Sequence, residues 1–307
     1  LVTIVGNTVG LTGILNKELG IANFTENCAR IRNSEIDEYY LVAFINSKYG
    51  QNQVVREKVG TSQPKLSLDR LRKFRVFIPD DNNIQDISSK VKKSSELLLE
   101  SQNLYQQAIA LLEKELSLDK ITFEKPKSYT ASFSEVASTR RMNAEYFTPA
   151  VKEILRQPFL NKAKPIASLF QIIRGSTPKG YLTSGVPIIK TKNIRLPEID
   201  RDRIADYVPS TKDLTSIQEN DLLVASMGVG SLGRISFIQT LEQDYVVDGT
   251  IRVLRKKFET PDNYEIPTML FLSTKVGQEL IYRGIVGSTG IISLPDDYLY
   301  KIPIPQF

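Results

Sequence analysis

Three glycines with the spacing of a dinucleotide-binding fingerprint form the first pattern in this sequence that could do chemistry. Gly228, Gly230 and Gly233 fit G-x-G-x-x-G and follow an apolar stretch typical of a strand. A true fingerprint opens a helix whose N-terminus holds the pyrophosphate, whereas residues 234–238 have the composition of a strand. We interpret the motif as a tight turn between strands. A nucleotide-cofactor-binding oxidoreductase that uses residues 228–233 is the alternative.

The same turn could contact the phosphates of a nucleic acid. Glycines let the backbone approach a phosphate closely, and Ser226, Ser231 and Arg234 could donate hydrogen bonds beside it. These three residues are therefore candidate DNA-binding residues.

Further polar residues could read base edges or hold phosphates. Lys190, Lys192 and Asn193 follow a predicted strand, and they combine charge with an amide, since Lys can bond guanine and Asn can bond adenine. The alternative is an ordinary solvated loop. The other candidates lie in polar loops or beside strands, several of them at equivalent places in the two halves of the chain. They are Asn7, Thr8, Arg30, Thr61, Ser62, Gln63, Lys65, Ser176, Thr177, Lys179, Arg252, Ser288 and Thr289.

Composition excludes several catalytic and metal chemistries. The chain has no His, which removes Ser-His-Asp triads, Cys-His pairs and histidine metal ligands. Cys28 is the single Cys, so an internal disulfide and a thiolate zinc site are excluded, and a reducing compartment is indicated. A nuclease-type Mg²⁺ site needs Pro-Asp followed by Asp/Glu-x-Lys, and no such triplet occurs in the 30 residues after Pro79 and Asp80.

Length and charge indicate two basic domains separated by an acidic segment. The 307 residues, 41% of them hydrophobic, suffice for two domains. No apolar run approaches the roughly 20 residues of a membrane helix, and the first residues lack a signal-peptide pattern, so we expect a soluble, cytoplasmic protein. Residues 1–80 carry 11 Lys and Arg against 8 Asp and Glu, residues 81–124 carry 5 against 8, and residues 125–307 carry 24 against 19. The basic segments would attract a polyanion such as DNA.

Residues 84–116 form the longest uninterrupted helical pattern. An apolar stripe with a seven-residue repeat is typical of a coiled coil and predicts a partner helix. Its 33 residues would make a rod of about 50 Å, and Asn82 or Asn83 could cap its start behind Pro79. The stripe consists of Ile84, Val91, Leu98, Tyr105 and Leu112, with Leu97, Leu104 and Leu111 one position before.

The remaining elements are predicted from shorter patterns. We expect a helix over residues 39–50, prolonged through 51–58. We expect strands at residues 1–5, 14–15, 28–31, 74–78, 186–190, 221–225 and 234–238. Residues 166–173 could be helix or strand, and residues 245–254 a strand pair or one bent strand.

The end of the chain repeats its beginning. Residues 1–80 then correspond to the second half of a domain whose full form spans roughly residues 130–306, so we expect the first copy to lack an opening portion of about 90 residues. Arg30 is expected to correspond to Arg252. At an offset of 227, Lys48, Gly50, Gln51, Arg56, Val59 and Gly60 recur as Lys275, Gly277, Gln278, Arg283, Val286 and Gly287. At an offset of 226, Ser67, Leu68, Ile78 and Pro79 recur as Ser293, Leu294, Ile304 and Pro305.

Two related lobes that each feed a long helix resemble the specificity (S) subunit of type I restriction-modification enzymes. Similarity to that family lies in the order and duplication of several loose motifs, which cover nearly the whole chain. The opening of the second lobe departs from the family pattern, because Asn143 stands where the family has an acidic residue. The motifs are Gly-Ser-Thr-Pro at 175–178, Val-Pro-Ile-Ile at 186–189 before Lys-Asn-Ile at 192–194, Asp-Leu-Leu at 221–223, Arg-Met-Asn-Ala-Glu-Tyr-Phe at 141–147, and the segments 67–79 and 293–305.

The resemblance implies an α+β fold with two target-recognition domains joined by a long coiled-coil-type helix. Residues 1–80 would be the C-terminal part of an incomplete first domain, residues 81–120 the spacer helix, and residues 125–307 the second domain. Each domain would read half of a split site on double-stranded DNA. Since a rod near 50 Å compares with a duplex turn of about 34 Å, half-sites should lie roughly one to one and a half turns apart.

The family also implies the partners of such a chain. Methylation and cleavage belong to two modification (methyltransferase) subunits and a restriction (motor and nuclease) subunit, which bind S-adenosylmethionine and ATP. We therefore expect a non-catalytic recognition subunit that binds no cofactor and no metal itself. Its partners would be DNA, those subunits and a helix that covers the stripe of residues 84–116.

Overall fold

The computed structural model of the chain describes residues 1–15, 20–121, 123, 126–287 and 292–307. Helices and short strands are largely grouped apart along the chain, in an α+β arrangement, as predicted. The chain divides into two compact units, Leu1–Leu104 and Tyr105–Phe307, which we call the first and the second unit.

A long helix, α4 (Asp81–Glu115), confirms the helical prediction for residues 84–116. Its 35 residues include neither Gly nor Pro, which would interrupt the ladder of backbone hydrogen bonds. Asp80, rather than Asn82 or Asn83, caps its start, because Asp80 Oδ1 accepts the backbone N–H of Asn83 at 3.0 Å.

The apolar stripe of this helix is only partly covered. Tyr105 and Leu112 pack against the core of the second unit. Leu97, Leu98 and Leu104 in the first unit are 50%, 62% and 57% exposed. The predicted partner helix for these leucines stays a prediction, as does the division into recognition domains and a spacer.

The first unit consists of one two-stranded ladder and a group of helices. Val2 of the first strand lies opposite Ala29 of the second in an antiparallel pair. Thr12 makes an isolated bridge to Val2, so no strand forms at residues 14–15. The elements are β1 (Val2–Thr3), β2 (Cys28–Ala29), α1 (Glu38–Asn46), α2 (Lys48–Glu57) and α3 (Leu68–Leu71), followed by the start of α4.

Ser47 divides the helix that the sequence predicts over residues 39–58. It is in extended conformation, so it ends α1, and its Oγ accepts the N–H of Gly50 at 3.4 Å as the N-cap of α2. A single continuous helix is therefore wrong. The strand predicted at residues 74–78 is also wrong, because that segment joins no ladder: Gln53 bonds both backbone groups of Arg75, and the Tyr40 hydroxyl donates to Phe77 O at 2.6 Å.

The second unit is built on a four-stranded antiparallel sheet with the order β4-β10-β7-β8. A second sheet has the order β6-β5-β9, in which β5 pairs antiparallel with β6 and parallel with β9. The strands are β3 (Lys164–Pro165), β4 (Phe170–Arg174), β5 (Val186–Ile189), β6 (Tyr207–Val208), β7 (Leu222–Ala225), β8 (Ile235–Phe237), β9 (Val246–Val247), β10 (Ile251–Lys256) and β11 (Pro303–Ile304). The helices are α5 (Phe133–Thr139), α6 (Pro149–Ile154), α7 (Ile166–Leu169), α8 (Glu265–Ser273), α9 (Lys275–Arg283) and α10 (Asp296–Leu299).

Alternation along the sheet strands produces two cores. Leu222 and Val224 of β7 belong to the core that α6, α8 and α9 cover, whereas Leu223 and Ala225 belong to the core on the other face. The structure also assigns the two segments whose secondary structure the sequence left open. Residues 166–173 begin as α7 and continue as β4, and residues 245–254 form two strands, β9 and β10, which lie in different sheets.

The helix pairs α1–α2 and α8–α9 confirm the repeat. Ser47 and Thr274 occupy the same position, and the side-chain oxygen of each accepts the N–H of the glycine three residues later. That glycine is Gly50 in the first unit and Gly277 in the second. In each pair one residue in extended conformation, Ser47 or Thr274, separates the two helices, and the glycine lets those helices pack closely.

Backbone hydrogen bonds show that the strands before these helices repeat as well. In the first unit Thr3 N–H donates to Leu11 O at 2.9 Å, and in the second Ala225 N–H donates to Arg234 O at 2.9 Å. The carbonyl after each strand then accepts from the loop before the short helix: Leu66 N–H reaches Ile4 O and Leu294 N–H reaches Ser226 O, each at 2.8 Å. The same pattern of backbone hydrogen bonds therefore occurs in both units.

The ladders correct two details of the predicted alignment. β1 pairs with Ala29 where β7 pairs with Arg252, so Arg252 corresponds to Ala29 and not to Arg30. Because α3 begins at Leu68 and α10 at Asp296, the offset here is 228 and not 226.

Candidate nucleic-acid interface

The strands of the second unit bring their loops to one end of the main sheet. Arg174 at the end of β4 lies opposite Arg252 near the start of β10, and Ala225 at the end of β7 also lies opposite the start of β10. The loop of residues 175–179 and the turn of residues 226–233 therefore emerge together. We call this the loop end of the sheet.

The glycine motif is a turn between antiparallel strands. Val224 of β7 lies opposite Ile235 of β8, and between them Gly228, Gly230 and Gly233 have φ angles of 103°, 73° and 83°. Glycine adopts these left-handed angles without steric cost. A strand follows the motif where a dinucleotide site requires a helix N-terminus, so the turn prediction is confirmed and the oxidoreductase alternative is wrong.

A glutamine side chain ties each glycine turn to its helix pair. Gln278 Nε2 donates to Gly233 O at 3.0 Å and to Leu272 O at 2.8 Å. In the first unit Gln51 Nε2 donates to Gly10 O at 3.1 Å and to the equivalent helix carbonyl at 2.9 Å. Turns held in this way present their tips with little freedom to move.

Two arginines adjoin the second turn without a carboxylate partner within salt-bridge distance in the described part of the chain. Arg234 is exposed at the start of β8, and Arg195 lies nearby and uses one N–H to bond Ile194 O. Burial lowers the pKa of Arg234 below its ordinary value, and the like charge of Arg195 lowers it further. A cavity of about 270 Å³ between them is also lined by Ser273 and Gln278. A bound anion would relieve this repulsion.

Lys190 and Lys192 share one carboxylate. Their ammonium groups lie 3.1 Å and 3.2 Å from Asp206 Oδ2. Hydrogen bonding from Lys190, together with the weaker bond from Lys192, holds the pKa of Asp206 below its usual range despite some burial. Lys190 also stacks on Tyr181, with Nζ 3.7 Å from the ring centroid. Two positive charges and one negative charge leave this group net positive.

The loop after β4 is close to the same group. Ser176 N–H donates to Val247 O at 3.0 Å, and its hydroxyl shares a 2.9 Å hydrogen bond with the Thr215 hydroxyl. Thr177 and Lys179 are exposed beyond this anchor. Lys179 therefore remains a candidate for contact with a phosphate, and Thr177 for contact with a phosphate or a base edge.

Three predicted site residues are buried and serve the fold, so their assignment to the DNA surface is wrong. Asn193 is 0% exposed, and its amide bonds Lys190 N–H at 3.0 Å and Asp200 O at 3.3 Å. Ser226 is 1% exposed and donates to Thr250 O, just before β10. Arg252 is 4% exposed, with Nε 2.5 Å from Asp296. Ser231 is half-buried and donates to Met227 O at 3.1 Å, which leaves its oxygen as an acceptor.

The first-unit candidates form a comparable exposed group. A hydrogen bond from Gly6 N–H to Pro64 O at 2.9 Å joins the turn that carries Asn7 and Thr8 to the loop of residues 60–65. The side chains predicted for the DNA surface here are all exposed: Asn7, Thr8, Arg30, Thr61, Ser62, Gln63 and Lys65. The second-unit equivalents of the last loop, Ser288 and Thr289, lie outside the described residues.

Two further properties limit the chemistry of the described part of the chain. Across these ranges no group of three or more His, Cys, Asp or Glu side chains could hold a metal ion. No helix among these residues is long and apolar enough to cross a bilayer.

Comparison with known proteins finds similarity to solved structures alone. No protein-family model matches the chain, and neither does any curated protein. A structure from work on the complex assembly and conformational transition of the type I R-M system is 14% identical, with a TM-score of 0.37, and the match covers 88% of this chain and 59% of that chain. The HsdS subunit from Thermoanaerobacter tengcongensis is 14% identical, with a TM-score of 0.35, covering 87% of this chain and 58% of that one.

A third similar structure is the S subunit of a type I restriction-modification system from M. genitalium. It is 13% identical, with a TM-score of 0.35, and the match covers 89% of this chain and 62% of that chain. The present chain thus spans about three fifths of the length of these proteins. Similarity at this level supports no detail of function. The second and third of these structures are S subunits of type I restriction-modification systems.

Proposed function

We propose that the chain is a DNA-recognition subunit of a type I restriction-modification complex. Each unit would contact one half of a bipartite site, with basic residues on phosphates and polar turn residues at base edges. Catalysis would belong to two modification subunits and a restriction subunit, and the chain would act in the cytoplasm. It would contribute recognition and no catalytic group.

The observation that carries this proposal is the duplicated turn. In both units a glutamine from the second helix of a pair holds a glycine turn, and a neighbouring loop is hydrogen-bonded to that turn. The predicted site residues around the first turn are exposed and polar or basic, with Leu11 also exposed beside them, while Arg195 and Arg234 lie beside the second turn. A rigid backbone that presents exposed side chains is what base reading requires, and two copies would suit two half-sites.

We propose a phosphate contact in the second unit at the two arginines that lack a carboxylate partner among the described residues. Arg234 and Arg195 repel each other across a cavity whose other polar side chains, Ser273 and Gln278, already donate to backbone carbonyls. A backbone phosphate would neutralise both guanidinium groups and accept their hydrogen bonds. We therefore assign Arg195, which no sequence pattern singles out, to the DNA surface beside Arg234.

Selection from randomised duplexes tests the proposal directly. The chain, with its modification subunits, should enrich DNA with two short specified segments separated by unspecified bases. Footprinting should then show two protected segments. Enrichment of no sequence, or of one continuous short site, would contradict the bipartite assignment.

Salt dependence tests the arginine pair. The slope of log Kobs against log salt should decrease in magnitude by about 1 for Arg234→Gln and again for Arg195→Gln. Lys256→Gln is the matched control, because Lys256 lies at the opposite end of β10 and pairs with Asp262 at 2.8 Å. Equal slopes for Arg234→Gln and the unaltered chain would remove this contact from the proposal.

A further inference from the structure

The two units differ in what covers the strand that starts after the glycine turn. In the second unit β10 is a central strand, paired with β7 on one side and with β4 on the other. The corresponding strand β2 pairs with β1 alone. Leu254 of β10 is fully buried, whereas Ile31, its counterpart beyond β2, is 42% exposed. The outer edge of β2 therefore offers unpaired backbone groups among the described residues.

The helix pairs differ in the same way. In the second unit α6 packs on α9, and the ring centroid of Phe159 lies 6.2 Å from that of Phe271, which is 0% exposed. The counterpart of Phe271 in the first unit is Phe44, which is half-buried and lines an open apolar groove of about 790 Å³. Tyr49, also in this groove, is 63% exposed, while its counterpart Val276 is 1% exposed.

A third difference lies after the short helix that ends each repeat. In the second unit β11 pairs with β3, and Ile304 is 0% exposed. In the first unit residues 74–78 join no ladder. At the offset of 228, Val76 corresponds to Ile304 and is half-buried, and Phe77 corresponds to the buried Pro305 and is 68% exposed. Phe77 lines the same groove as Tyr49.

The covering elements of the second unit all belong to one stretch, residues 144–174, which contains α6, Phe159, β3, α7 and β4. We propose that the first unit carries a docking surface for a polypeptide segment built like residues 144–174. An amphipathic helix of that segment would fill the groove over Phe44 and Tyr49, and its strands would pair with residues 74–78 and with the outer edge of β2.

Chemistry favours a polypeptide over other occupants. Open strand edges are satisfied by backbone N–H and C=O groups, which nucleic acids do not supply in that geometry. The groove is lined largely by aromatic and aliphatic side chains, with Arg75 as its charged member. A second copy of the chain is a poorer occupant, since its residues 144–174 already cover its own second unit. This inference rests on the repeat and is independent of DNA binding.

Fusion of the covering segment to the full chain tests the proposal. A second copy of residues 144–174 joined to Leu1 through a flexible Gly/Ser linker has a high effective concentration at the surface. Amide exchange of residues 28–32 and 74–78 should slow by at least about tenfold relative to a fusion of the same residues in shuffled order. Equal exchange in the two fusions would overturn the docking surface.

Two variants of the groove and one control distinguish a missing surface from a poor side-chain fit. Ala43→Leu with Tyr49→Val gives the groove the side chains of the second unit, and it should preserve or increase the protection. Tyr49→Asp should abolish it, while Phe258→Asp, at a 98% exposed residue of the second unit, should not. Protection absent even with the matched groove overturns the proposal.

Sedimentation of the unfused chain provides the remaining outcome. The proposal expects monomers of the chain with this surface open. Self-association that Tyr49→Asp abolishes would overturn the proposal in favour of a second copy as occupant. Exchange is measured without DNA, so failure here leaves the salt-dependence test of DNA binding unaffected.

Discussion

The joint within each helix pair offers a direct test of the repeated scaffold. A Cβ at Gly277 would lie 2.2 Å from Phe271 O and 2.5 Å from Leu272 Cα, and a Cβ at Gly50 would lie 2.3 Å from Ile45 O. These contacts are with the backbone of the preceding helix, so rotation of a side chain cannot relieve them. Alanine at either position must push the two helices apart.

The magnitude follows from what that displacement breaks. Overpacking a core typically costs about 1–3 kcal/mol, and a clash with backbone belongs at the upper end. Separation also strains the N-cap bond from Gly277 N–H to Thr274 Oγ1, 3.1 Å long, which is worth about 1 kcal/mol. We expect Gly277→Ala and Gly50→Ala each to lower the free energy of unfolding of their own unit by about 3–4 kcal/mol.

Urea denaturation combined with amide exchange measures each unit separately. The matched controls are Gly180→Ala in the second unit and Gly13→Ala in the first, because a Cβ at either position has no atom within 4 Å. Both should change stability by no more than about 1 kcal/mol. A loss below about 1 kcal/mol at Gly50 together with a full loss at Gly277 would refute the shared joint.

Three further outcomes follow from individual contacts. Gln278→Ala removes two hydrogen bonds to backbone carbonyls and should lower the free energy of unfolding by about 2 kcal/mol, measured by urea denaturation. It should also increase the rate of amide exchange in residues 226–233. Asp296→Asn leaves the buried Arg252 without its carboxylate and should cost about 3 kcal/mol, without changing the salt slope of DNA binding. Burial raises the pKa of Tyr298 to about 12 from an ordinary value of 10.0. Its stabilising contribution is therefore present below pH 10 and lost as pH rises toward 12, and Tyr298→Phe should lose less stability over that interval, by pH-dependent denaturation.

Periodicity and repetition predicted those features of the fold that local sequence determines. Helix α4 follows from 35 residues without Gly or Pro, and the glycine turn at 228–233 was recognised because strand-forming residues follow it. The break at Ser47 was missed, since one serine does not interrupt a helical pattern as Pro would. The sequence nonetheless contains a signal for this break, because a capping residue stands three positions before a glycine in each copy, Ser47 in the first and Thr274 in the second.

The site could be predicted only in part, because burial depends on tertiary contacts. Asn193 and Ser226 are residue types that suit both a DNA surface and a buried turn, and their hydrogen bonds go to the backbone. Arg252 is held by Asp296, 44 positions later, a pairing that only the fold reveals. Arg195 was missed because only the fold brings it close to Arg234. Its backbone N–H donates to the hydroxyl of Ser236 in β8 at 2.9 Å, two residues after Arg234.

The distribution of differences between the two copies bears on what the turns do. Residues that hold backbone in place are the same or chemically alike in both. Gln51 and Gln278 bond the same helix and turn carbonyls, and the hydroxyls of Ser47 and Thr274 accept equivalent glycine N–H groups. Residues at the turn tips differ, since Asn7 in the first copy stands where Val229 stands in the second, and both are exposed. Under the proposed function, two tips of different chemistry on one scaffold would let the two units recognise unlike half-sites, because base identity is read by exposed side chains and not by the backbone that positions them.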